Sequence, residues 1–312
     1  MISALRLPRI MGGWLAVLVI IAALPLAVLR DEDRIVWLYD AVLIGVGIMG
    51  AATASILARS LAQGRSTTHS SASPTALSTA PRSQRLAELG ALGLATAALM
   101  ALAAPFLTLL ALKGGAYPSA VPAHLLILGA STWAVACACL AARARGARPS
   151  ALAAVVIVLI LVVVPPAAME ALASVARIEQ EQTVYVLNGA TSRTRCEPTP
   201  STRTREEPRS EFFWWLAATD PLLALADASV RGPAVPEPWR ESSLLAWAGG
   251  SIDDSRDPHP RAVTLHECGE GIVWDSEGVS ILREPRHAPF WPVTVLLMIG
   301  AGLAMGLRRR PR

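Results

Sequence analysis

Six long apolar stretches, at 11–29, 35–58, 87–112, 123–142, 151–168 and 289–307, alternate with polar links along this chain. Each is close to or above the roughly 18–20 residues that a helix needs to cross a hydrocarbon core about 30 Å thick. None holds more than one acidic residue. Inside lipid the backbone must satisfy its own hydrogen bonds, so helices are the expected form. The pattern predicts an all-α membrane protein built as a six-helix transmembrane bundle. Residues 1–168 supply helices 1–5 and their cytoplasmic loops, and 289–312 supply the sixth helix and a cytoplasmic tail. The first stretch has basic flanks but an apolar run longer than a usual signal-peptide core, and no small-x-small site precedes Arg30, so it is expected to remain as a span.

The interval 169–288 breaks the pattern and predicts a small extracytoplasmic α+β insertion between helices 5 and 6. Its start, 170–182, spaces Leu172, Val175 and Ile178 helically and is expected to prolong the fifth span. Residues 188–210 are polar and read as loop or short strand. Phe212 to Ala228 is apolar again, and the pattern of Trp214, Trp215, Leu222, Leu223 and Leu225 suits a helix pair on the outer membrane face, broken at Asp220-Pro221. Its aromatic residues read as a membrane-interface seat rather than a ligand platform. Residues 232–262, rich in Pro, Gly and Asp, are expected to be flexible. Alternating apolar positions across 263–284 predict short strands.

Charge orients the bundle. With the N-terminus in the cytoplasm, the internal segments carry Arg6, Arg9, Arg59, Arg65, Arg82, Arg85, Arg143, Arg145, Arg148, Arg308, Arg309, Arg310 and Arg312. The short external links hold only Arg30, Arg34 and Lys113. Short-loop basic residues set topology, so both termini are expected inside a cell (plasma) membrane crossed several times. The insertion has twelve arginines against nineteen carboxylates. The net +4 of the whole chain is therefore the rim of a membrane domain and no sign of nucleic-acid binding.

Within the spans, Asp40 is the most conspicuous ionisable group, since an intramembrane carboxylate raises a functional question by default. It lies within two turns of the external end beside Trp37 and Tyr39, and reads as an interfacial carboxylate reaching headgroup water. Glu88 reads the same way at the internal end of the third span. Gly45, Gly47 and Gly50, with Gly90 and Gly93, offer flat faces for close helix approach. Pro25, Pro105, Pro165 and Pro166 are expected to kink or end their helices. Cys137 and Cys139 do not share a helical face and read as small core residues. Cys196 and Cys268 fall in the external insertion, where a disulfide can persist; a bridge would close a loop worth roughly 4 kcal/mol in the chain-entropy model. The chain contains no Gly-x-x-x-x-Gly-Lys, Gly-x-Ser-x-Gly or His-Glu-x-x-His run. No catalytic residue, metal ligand or cofactor is expected, and any ATP hydrolysis belongs on another chain.

Three stretches carry a family likeness. The first is Ala104-Pro105-Phe106-Leu107 followed by Lys113-Gly114-Gly115-Ala116; the second runs from Trp214-Trp215 through Pro221 to Ala226-Asp227-Ala228; the third is Phe290-Trp291-Pro292-Val293 leading to Arg308-Arg309-Arg310-Pro311. In these the chain resembles the permease subunits of ABC-2-type ATP-binding-cassette transporters, in the form common among high-GC Gram-positive bacteria. The likeness covers spans three to six, about two thirds of the chain. It implies a substrate path through the bundle, a second permease copy or related permease, and a separate cytoplasmic ATPase. The ATPase would meet the 59–86 loop, with Arg59, Gln63, Gly64, Arg65, Ser73, Pro74 and Leu77 as candidate contacts. The sequence departs from the family in two places: only ten residues precede the first span, and Ala62-Gln63-Gly64-Arg65-Ser66-Thr67 lacks the acidic residues usual there. A non-transporting membrane protein with a sensing or anchoring outer domain is the rival expectation.

Overall fold

The computed structural model describes residues 32–68, 82–113, 120–144, 151–186, 201–231, 243–258, 262–267, 273–274 and 287–307. The elements run α1 (Glu32–Thr68), α2 (Arg82–Lys113), α3 (Ala120–Ala144), α4 (Ala151–Val175), β1 (Arg177–Val186), β2 (Ser201–Pro208), two 3-10 turns (Ser210–Phe212 and Trp214–Thr219), α5 (Pro221–Ser229), α6 (Leu244–Asp254), β3 (Ala262–Glu267), β4 (Val273–Trp274) and α7 (Trp291–Leu307). The first apolar stretch, the loop residues Ser73, Pro74 and Leu77, the cysteines Cys196 and Cys268, and the terminal arginines lie outside the described residues.

Four helices are long and apolar enough to cross a membrane, through Ile35–Ala54 in α1, Arg85–Lys113 in α2, Ala120–Ala142 in α3 and Val156–Val175 in α4. The last, α7, is apolar but has 17 residues, about 26 Å at the helical rise. Of the six predicted spans, four correspond to helices of that length and apolarity, the sixth corresponds to the shorter α7, and the first lies outside the described residues. The four long helices outrun their predicted spans. Beyond its predicted span α1 continues to Thr68 and carries Arg59, Gln63, Gly64 and Arg65 on its last turns. Pro105 sits within α2, and α4 continues through Pro165 and Pro166 to Val175, so none of these three prolines ends its helix.

The central helix is α3, which packs against α1, α2, α5 and α7 and touches α4. Its Cys137 and Cys139 are buried thiols in the core, as their setting in the sequence suggested. Close approach rests on small residues. A Cβ on Gly50 of α1 would collide with the Thr132 hydroxyl of α3, while Gly45 and Gly90 face open space and have no such role. Glu88 is half-buried near the start of α2.

The insertion departs from expectation at its start. The helical spacing across 170–182 gives way at Ala176: Gln180, Gln182 and Val184 are buried on alternate positions, the period of a strand. β1 pairs antiparallel with β2, from Arg177↔Pro208 to Val184↔Ser201, and parallel with β3, Glu181 facing Ala262. The four-stranded sheet has the order β2-β1-β3-β4. The buried amides are satisfied within it, Gln182 Nε2 donating to Gln180 Oε1 at 3.1 Å and Arg203 Nε to Gln182 Oε1 at 2.9 Å. Short strands do fall at 262–267 and 273–274. Within 232–262, however, residues 244–254 form the ordered helix α6, with Leu245, Ala246 and Ile252 buried.

Candidate functional site

Three aspartates near the meeting of insertion and bundle each cap a different helix, and two of them reach from one to the other. The four first N–H groups of a helix lack intrahelical partners, and a side-chain oxygen can take them. Asp220 does this for its own helix: Oδ1 accepts from Leu222 N at 2.7 Å and Leu223 N at 3.3 Å, with Pro221 at the first helical position. The Asp-Pro pair thus starts α5 and ends the preceding 3-10 turn, so the predicted break falls where the sequence placed it. The expected helix pair is a 3-10 turn followed by one short helix.

The other two caps reach across the chain. Asp40 of α1 accepts from Ser243 Oγ at 3.0 Å and from Leu245 N at 3.2 Å. Ser243 Oγ in turn accepts from Ala246 N at 3.0 Å, so the start of α6 is held by its own serine and a carboxylate 203 residues earlier. Asp40 is 2% exposed. It does not reach headgroup water, as position alone suggested, because α6 folds back over it. In the reverse sense, Asp227 of α5 caps the last helix of the bundle. Its Oδ2 accepts from Phe290 N at 2.8 Å and Trp291 N at 3.1 Å, the first turn of α7.

Asp227 Oδ1 faces Arg231, whose Nη2 lies 2.7 Å away and also reaches Asp253 Oδ1 of α6 at 2.9 Å. Arg231 Nη1 donates to the carbonyl of His287, just before α7. Arg256 donates to the Ala288 carbonyl at 2.8 Å and lays its guanidinium over the Trp214 ring at 4.3 Å. Its burial pulls its pKa down, while Asp253 and Asp227 push it back up. The result is one cluster binding α5, α6 and the entrance to α7. Buried charges are costly unless paired and hydrogen-bonded, and here each carboxylate has both kinds of partner. Among the described residues no cation pairs with Asp220, and its Oδ2 has no hydrogen-bond partner. Burial pushes its pKa up to about 7, against the pull of the two amides.

A second tie runs through the bundle itself. His124 of α3 is fully buried, with Nδ1 2.7 Å from the Tyr39 hydroxyl and Nε2 3.0 Å from Ser229 Oγ. Ser229 donates its proton to the Leu225 carbonyl at 2.9 Å. It therefore accepts from Nε2–H, and in a neutral ring Nδ1 accepts from Tyr39. A serine beside a histidine invites a nucleophilic reading, but this serine's proton is already committed, no carboxylate orients the ring, and the group is closed to solvent. The geometry is that of a tie between α1, α3 and α5. Among the described residues no group of three or more His, Cys, Asp or Glu is placed to hold a metal ion.

The predicted site residues therefore divide. Trp214, Pro221, Ala226, Asp227, Trp291 and Pro292 converge on this junction, Ala226 buried in the core and Trp291 opening α7. Trp215 points away and is 53% exposed, which suits an interface seat. Arg59, Gln63, Gly64 and Arg65 lie on the last turns of α1, toward its other end. Sequence reasoning passed over His124, Ser229, Arg231, Ser243, Asp253, Arg256 and His287. A lone histidine inside an otherwise apolar span was the available signal for His124; Ser243 and Asp253 carried none without the fold. No protein-family model matches this chain, and no curated protein or solved structure matches it either.

Proposed function

We propose that this chain is the membrane-spanning permease subunit of an ABC-2-type exporter, with six spans, both termini in the cytoplasm, and a separate ATPase driving it. The carrying observation is the Trp214–Ala228 stretch, the most specific part of the resemblance. Its Asp220 and Pro221 start α5, and its Asp227 caps α7 from that helix. A motif that starts one helix and caps another across the junction is consistent with a bundle that must move as a unit with its outer segment. A second permease copy or a related one completes the path.

The rival, a membrane protein whose outer domain senses or anchors, is favoured by one observation: the segment at 62–67 lacks the acidic residues seen in the family. Purification of the full chain in mild detergent separates the two. A co-purifying ATPase that survives washing supports the permease; its absence in every mild detergent, with the chain folded, supports the rival. Arg65→Glu refines the contact. Insertion should persist, because Arg59, Arg82 and Arg85 still hold the loop inside, while ATPase affinity should fall by roughly tenfold to a hundredfold if that arginine pairs with a carboxylate. Unchanged association would assign Arg65 to topology alone.

A further inference from the structure

An apolar cleft of about 730 Å³, including its open mouth, runs between α1, α3 and α4 under the start of α5. Leu43 and Gly47 form one wall, Leu128 and Val135 another, Leu159 a third, and Leu222 roofs it. All the residues contributed by α1, α3 and α4 fall within the windows long and apolar enough to cross a membrane, so the cleft sits at hydrocarbon depth. Two hydroxyls touch it. Ser131 Oγ is already committed to the Ile127 carbonyl at 2.8 Å, and Thr132 is turned against Gly50. The walls therefore offer a ligand little beyond the acceptor lone pairs of two hydroxyls, and a polar headgroup could not be buried here without cost.

The mouth is continuous with the lipid-facing surface. Only 11% of the Val156–Val175 window of α4 is buried. Ile48 and Leu159 at the rim, and Ile160 and Val163 beside them, are exposed. Above, the roof is fixed, because Ser229 and Asp227 tie α5 to α3 and α7. Among the described residues nothing closes the side of the cleft, so the opening admits what comes sideways from the bilayer. In lipid there is no hydrophobic gain in covering such a cleft, so an occupant is held by close packing, which rewards a flexible chain able to follow the walls. We propose that the cleft is a binding site for one acyl chain of a bilayer phospholipid, held under α5 with its headgroup outside. The inference rests on the four helices spanning a membrane and is independent of the permease reading.

The test uses the full chain in phosphatidylcholine vesicles in which part of the lipid carries a diazirine within an acyl chain. After irradiation, carbene insertion is mapped by peptide mass spectrometry. Labelling should concentrate on Gly47, Val135 and Leu159 relative to Leu94, a freely lipid-facing residue of α2. Ser131→Leu fills the cleft without removing a bond between helices, and should reduce the labelling of those residues to the Leu94 level. Wild-type labelling no higher at the cleft than at Leu94, or undiminished in Ser131→Leu, overturns the site. A second measurement needs no variant: phospholipid should stay with the wild-type chain through detergent exchange, and a lipid-free chain that keeps its fold overturns the proposal. Failure here leaves ATPase co-purification untouched, so the two readings fail separately.

Discussion

The two ends of the helix bundle are held together by different means. At the end facing the insertion, the core mixes large side chains such as Tyr39, Leu43, Leu99 and Leu107 with buried Asp40, His124 and Asp227. At the other end, Ala51, Ala54, Ala58, Ala95, Ala136 and Ala154 surround a few leucines, and none of the described buried carboxylates lies there. Lipid tails are as apolar as leucine, so helices immersed in them gain little by hiding hydrocarbon and must associate through close packing of small residues. Where irregular backbone approaches the bundle, every helix start must find partners, and polar ties become available. The lesson is that the alanine end should be sensitive to added volume and the insertion end to lost hydrogen bonds.

The largest effect is expected from Asp227→Ala. It uncaps α7 and leaves Arg231 facing Asp253 alone. Breaking a buried pair costs about 3–5 kcal/mol, because the remaining charge stays desolvated. Thermal unfolding of the purified chain should register it, together with new protease cleavage within the insertion. Wild-type stability in this variant would make the charged junction incidental. Next in size is Asp40→Ala, which removes two bonds from the start of α6. About 1–3 kcal/mol should be lost. Asp40→Asn should recover part of it, since an amide oxygen can still accept from Leu245 N; equal losses in the two variants would point to the charge and not the cap.

At the opposite end the probe is volume. A Cβ on Gly302 of α7 would lie 2.6 Å from the Trp133 ring, which cannot yield as a flexible side chain can. Gly302→Ala should cost about 1–3 kcal/mol by overpacking. The same substitution at Gly300, whose Cβ would meet nothing within 4 Å, serves as the control and should be neutral. If both glycines behave alike, close packing is not what holds α7 there.

These contrasts also explain what could be read from sequence. Four long apolar helices were legible because hydropathy summed over about 20 residues is a strong, local signal. The break at Asp220-Pro221 was legible because capping chemistry is local too. The roles of Asp40 and Asp227 were not, since each caps a helix remote in sequence, Ser243 lying 203 residues from Asp40. An interfacial position and a buried cap look identical until the chain returns to cover one of them. The strand at Arg177–Val186 was misread for a related reason: Leu172, Val175 and Ile178 continue the helical period across the boundary, while the buried Gln180 and Gln182 carry no apolar signal to mark a strand.

A smaller effect, in pH rather than magnitude, should appear at Asp220. Its folded pKa is raised to about 7 from the ordinary 3.8, so the folded state holds a proton that the unfolded state has released. Its favourable contribution is complete below about pH 4 and is lost as pH rises through about 7. Asp220→Asn keeps an oxygen for Leu222 N and Leu223 N but cannot ionise. Comparing unfolding midpoints of the two proteins from pH 4 to pH 8 should show the wild type losing ground to the variant as pH rises. Parallel curves would place the carboxyl in a better-solvated setting than its burial implies.

The smallest effect is expected where charge is plentiful and burial is not. Arg177 and Glu206 face each other across β1 and β2 at 3.1 Å, a separation close to those in the Arg231 cluster, yet their side chains are 54% and 61% exposed. Water screens the pair, and holding two long side chains in one geometry offsets much of the attraction; such pairs contribute about 0–1 kcal/mol. Glu206→Ala should therefore change the unfolding midpoint little, and added salt should erase what difference there is. Asp227→Ala should keep most of its loss in the same salt, because that cluster is closed to counterions. A Glu206→Ala loss as large as that of Asp227→Ala would mean that ion pairing itself, and not burial at the junction, secures the insertion.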